Sequence, residues 1–97
     1  KIAETWNNGS VIRSWLVELA ENAFRKDPKL GRIEGIVGGG ETGQWAVDTA
    51  KEFKVPFESV QLALKLRLSS RKKPTFAGKV IAALRNEFGG HKAVKKG

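Results

Sequence analysis

The sequence predicts an all-α fold, a small domain of about four to five helices. Apolar residues recur at helical spacing in four separate stretches, and no stretch alternates with period two. The breaks between the stretches fall at proline and glycine. At 97 residues the chain is long enough for one domain and too short for two. Its 40% hydrophobic content, with Trp6, Trp15 and Trp45, is globular composition, not that of a disordered chain.

The first helix is read from Ile12, Trp15, Leu16, Leu19, Ala20 and Ala23, which share one face. Ile2, Ala3 and Trp6 place its start, or that of a preceding helix, at or before residue 1, with Gly9 interrupting the pattern. Asp27-Pro28 ends it, because the residue before proline is driven out of the α region. A connector over 28–43 carries one short apolar piece, Ile33–Val37. Thr42 is expected to cap a second helix, 43–53, with Trp45, Ala46, Thr49, Ala50 and Phe53 on one face. Val55-Pro56 breaks that helix, and a third follows over about 57–68 with Val60, Ala63, Leu64 and Leu68 expected inward. SSRKKP is a basic turn. Thr75 opens a fourth helix through Phe76, Val80, Ile81, Ala83, Leu84 and Phe88, and Gly89-Gly90 stops it, with Gly89 as the left-handed residue. Residues 92–97 are expected to be a basic flexible tail with little to bury. The three tryptophans, on apolar faces, are read as core or interface anchors.

Several function classes are excluded. There is no cysteine, hence no disulfide and no thiolate metal site. No His/Cys/Asp/Glu cluster has metal-ligand spacing, and no carboxylate pair is placed for acid–base work. No apolar run approaches the roughly 18 residues of a membrane span. The chain lacks methionine and opens on the helix-like KIAETW, so a segment of a longer protein is expected.

The net charge of +8 is lopsided: from Gln61 onward ten basic residues face one acid, Glu87. Such a field draws anions. GGGETG at 38–43 matches G-x-G-x-x-G, but no βαβ unit surrounds it and Glu41 would oppose a phosphate. It is read as a glycine-rich turn feeding a helix. LRNEFGGH at 84–91 holds the only histidine. On the residues alone two accounts stand. Arg85 complements a helix end while His91 is a solvated tail residue, or both converge on an anion, with the guanidinium fork matching a phosphate.

Four stretches tip the balance: WNNGSVIRSWL at 6–16, GGGETGQWAVDTAKEFKVP at 38–56, SSR at 69–71 and FAGKVIAALRNEFGGH at 76–91. In this order the chain resembles the C-terminal helical domain of decarboxylating 6-phosphogluconate dehydrogenases of the short bacterial type. The resemblance implies that residues 1–91 are the helical substrate-binding and dimerisation domain, dimerising through helix packing. The N-terminal Rossmann domain would lie outside this chain. It implies an oxidoreductase of the pentose phosphate pathway that oxidises 6-phosphogluconate and decarboxylates it to ribulose 5-phosphate. NAD or NADP would be held mainly by the missing domain. Arg85, Phe88, Gly89, Gly90 and His91 match the family's R-x-x-x-F-G-[GA]-H pattern, so Arg85 would hold the phosphate and His91 orient the substrate, both offered to a partner subunit's site. The catalytic and cofactor-binding residues would lie outside the chain, leaving this segment inactive alone.

Two arginines are secondary candidates. Arg71, at the SSR turn, would supplement the phosphate site or serve the turn. Arg13, on the polar flank of the first helix, would pair with a carboxylate, contact the partner, or be an ordinary surface arginine. The expected partners are a sugar phosphate and a second copy, with no membrane, in the cytoplasm. The competing reading is a basic nucleic-acid-binding or protein-interaction module, against which the spread of basic residues around the helices and the lack of a recognisable DNA-binding helix pair both count.

Overall fold

A computed structural model describes residues 1–96, and its described residues form five helices and no strand. They are α1 (Ile2–Asn7), α2 (Trp15–Lys26), α3 (Glu41–Glu52), α4 (Glu58–Ser69) and α5 (Phe76–Gly89).

Of the two readings of the first stretch, a separate preceding helix is the one found, and the second helix begins later than Ile12. Gly9 stands at φ +100°, a left-handed conformation that no right-handed helix can run through. The chain re-enters helix only at Ser14, whose hydroxyl accepts the Val17 N–H at 3.2 Å. Ile12 and Arg13 therefore lie in the connector, not on a helix. Asn7 Nδ2 donates to Glu21 at 2.8 Å and ties α1 to α2. Lys26 ends α2, as Pro28 requires. The Asp27 carboxylate then closes the turn by accepting the N–H groups of Gly31 and Arg32, at 3.2 and 3.0 Å.

The cap of α3 also differs from expectation. Thr42 lies in the first turn, and the N-cap is Gly40 at φ +120°, so the helix starts two residues early. At the end of α5, Gly89 is still helical and Gly90 takes the left-handed position, φ +70°. Thr75 caps α5 as expected, its Oγ1 accepting the Gly78 N–H at 3.0 Å. The backbone of 92–96 runs back along the connector: Glu34 donates to the Val94 carbonyl at 2.7 Å, and Lys96 to that of Arg32 at 3.0 Å.

Two packed units share the chain. Helix α2 lies against α1 and α5, and α3 against α4. The centre is small: Ala23, Leu30 and Ala83, with Phe24, Ile33 and Val80 around them. Small residues set the distances. A methyl group on Gly78 would stand 2.3 Å from the Gly35 carbonyl oxygen, and one on Gly35 2.2 Å from that of Thr75. The connector can therefore lie on the first turn of α5 only because both positions are glycine. It is further held by Ser70, a buried hydroxyl that accepts the Val37 N–H at 2.9 Å.

The expected inward faces are only partly buried. Leu19, Ala23, Ala50, Leu64 and Ala83 are buried, but all three tryptophans are exposed, Trp45 by 67%. Among the described residues no second layer covers them, and the chain forms a slab of 44 × 38 × 20 Å. Trp15 instead stacks at an angle on Phe88, with ring centroids 4.6 Å apart.

Candidate functional site

The site grows from the glycine turn 38–40, between the connector and α3. Gly39 and Gly40 hold φ +78° and +120°, and the Gly40 carbonyl accepts the Gln44 N–H at 2.8 Å as α3 begins, leaving the carbonyls of Gly38 and Gly39 to side chains. Two guanidiniums use them. Arg85, from the middle of α5, donates through Nη1 to the Gly38 carbonyl at 3.2 Å. Arg71, just past α4, donates through Nη2 to the Gly39 carbonyl.

A third arginine joins them. A methyl on Gly39 would lie 3.7 Å from Nη2 of Arg85 and 4.0 Å from Nη2 of Arg67. The Arg67 stem crosses Gly40, its Cδ 3.5 Å from the same construction there. Three guanidiniums thus surround one turn, with the Glu41 carboxylate also near Gly39. Sequence reasoning missed Arg67. Its signal was the four-residue spacing to Arg71, which puts both on one side of α4 and its end.

His91 reaches the same region through the glycine hinge. Its ring folds back over Gly89, with Cδ2 3.4 Å from where a methyl there would stand. Asn86 Nδ2 fixes the bend by donating to the His91 carbonyl at 3.2 Å. Arg85 and His91 line a common cavity of about 200 Å³ with Ile36, Gly38, Gly39 and Ala82, and the tail at Lys92–Val94 forms its other wall. Arg85 thus lines the cavity and holds the Gly38 carbonyl, and it stands before the last turn of its helix. Arg13 lies elsewhere, exposed in the connector between α1 and α2, and is not part of the lining.

The cavity brings a guanidinium and an imidazole to one place. Arg85 gives one donor to Gly38 and carries five, so an edge of its fork remains for a ligand. Being about 200 Å³, it is smaller than the roughly 300–1,000 Å³ of complete small-molecule sites. The residues do not fit a dinucleotide: among the described residues no strand precedes the glycine turn, and Glu41 stands in the first turn of α3.

No family model matches the chain. Two relatives do. A Bacillus subtilis protein named "Putative 6-phosphogluconate dehydrogenase YqeC" is 50% identical over 96 residues, 99% of this chain. A Haloferax volcanii protein named "6-phosphogluconate dehydrogenase, NAD(+)-dependent, decarboxylating" is 44% identical over 96 residues, 98% of this chain. The chain spans 32% of the length of each. Over essentially its whole length, the chain is thus similar to about one third of the length of each of two proteins that carry the 6-phosphogluconate dehydrogenase name.

Proposed function

We propose that this chain is the C-terminal helical domain, residues 1–91 with the tail 92–97, of an enzyme that oxidatively decarboxylates 6-phosphogluconate to ribulose 5-phosphate. The carrying observation is the convergence of Arg85 and His91 on one cavity beside the turn that also gathers Arg67 and Arg71. A phosphate monoester carries about −1.5 to −2 charge at neutral pH, and several guanidiniums are the usual match for it. Arg85 holds the phosphate through its fork, and His91, hinged by the glycines, orients the sugar chain. Arg67 and Arg71 add positive field and keep the turn in place.

The nicotinamide cofactor, NAD or NADP, supplies the hydride acceptor and binds in a domain outside this chain. The small, incomplete cavity agrees with a site finished by other protein surfaces, including those of a second subunit in a homodimer.

The test is Arg85→Ala in the whole enzyme. Truncating one partner of a desolvated charged pair costs about 2–5 kcal/mol, so KM for 6-phosphogluconate should rise from tens- to thousands-fold. Turnover of the non-phosphorylated sugar acid should change little. Unchanged KM and kcat with the phosphorylated substrate would refute the assignment.

A further inference from the structure

The cavity beside the glycine turn carries a third cation. Among the described residues its lining holds Arg85, His91 and Lys92 and no carboxylate. The family pattern ends at His91, so the resemblance gives Lys92 no role. The ion pairs among the described residues are Arg25–Glu21 and Lys26–Glu87, so Lys92 is not spent on an acid.

The backbone of the tail brings Lys92 to the cavity. Just before it, the His91 carbonyl accepts from Asn86 Nδ2 at 3.2 Å. Just after it, the Val94 carbonyl accepts the Glu34 N–H at 2.7 Å, and the Arg32 carbonyl accepts the Lys96 N–H at 3.0 Å. Ile33 and Lys95 face each other in an antiparallel bridge. Lys92 therefore sits between two tied points, one on α5 and one on the connector. The entropy of placing that backbone is lost on folding and not on binding, which favours a ligand that needs this residue.

The two basic side chains divide the work. Arg85 presents a planar fork, with one donor already used on the Gly38 carbonyl. A lysine ends in a compact charge on a flexible four-carbon stem, with no fixed plane. A phosphate monoester presents three outer oxygens. A fork on two of them leaves the third for a point charge. We propose that Lys92 is a further phosphate-binding residue of this site, with the tail 92–96 as the strap that holds it there. The inference rests on the phosphate reading above and extends it by one residue and one segment.

Lys92→Met in the whole enzyme keeps the stem and removes the charge. KM for 6-phosphogluconate and the competitive inhibition constant of inorganic phosphate should both rise about tenfold. Turnover number and use of the non-phosphorylated sugar acid should change little. Lys95→Met removes the same charge from the same tail, at an exposed position outside the lining, and should move neither constant. Unmoved constants in Lys92→Met overturn the inference. An equal rise in Lys95→Met also overturns it, because a general field and not a placed ammonium would then be at work. So does a rise in KM with the phosphate constant unmoved, which would put Lys92 at the carboxylate end of the substrate. Arg85→Ala judges the phosphate reading itself. If it raises the phosphate constant and Lys92→Met does not, the strap alone fails; if neither does, both fail.

Discussion

Replacing Gly78 by alanine tests how the fold sets the site. In a free helix this change would help, by about 1 kcal/mol. Here the new methyl would stand 2.3 Å from the Gly35 carbonyl oxygen, where ordinary contact begins at 3.4 Å. The connector must retreat by about 1 Å, since the obstacle is backbone and has no rotamer to change. Overpacking of this kind costs about 1–3 kcal/mol, and a backbone obstacle belongs at the upper end. The net loss is then about 2 kcal/mol, or a Tm lower by roughly 10 °C for a domain of this size. The retreat also carries Val37 away from Ser70 and drags the turn at Gly38–Gly39 that anchors Arg85 and Arg71. A displacement of about 1 Å at a binding group can cost on the order of a hundredfold, so KM for the phosphorylated substrate should rise as well. Thermal unfolding followed by circular dichroism, paired with steady-state kinetics, reads both. A Gly78→Ala protein as stable as the wild type, or more so, refutes the close approach of connector and helix.

Two more substitutions probe single contacts. Ser70→Ala leaves the Val37 N–H without its acceptor in a buried place and should cost about 1–3 kcal/mol, seen as a lower urea midpoint at unchanged slope. Thr75→Ala removes the hydroxyl cap of α5 and should cost about 1 kcal/mol, while Thr75→Ser should lose much less.

The helices themselves were legible because their signals are local. The stops before Pro28 and Pro56, the cap at Thr75 and the double glycine after Phe88 each act within a few residues. The same locality explains the misreadings. Helical spacing from Ile12 onward looked continuous, yet Ser14 offered a better start once Gly9 had turned the chain. At α5 the left-handed residue fell on Gly90 because a pair of glycines does not tell which one turns, and at α3 Gly40 and not Thr42 stands at the cap. Of the site, Arg85 and His91 were named by the resemblance of LRNEFGGH to the family pattern, since the residues alone left two accounts open. The gathering of Arg67 and Arg71 at the same turn was not legible.

By itself, then, the sequence determined which segments are helical, where the glycine hinge lies and that the second half attracts anions. Only the tertiary structure decided which guanidiniums meet and which apolar faces stay open. Arg71 and Arg85 reach carbonyls 32 and 47 positions away. Such meetings depend on how closely two backbones approach, here through Gly35 and Gly78. That distance is set by the packing of whole elements, which no local pattern of residues encodes.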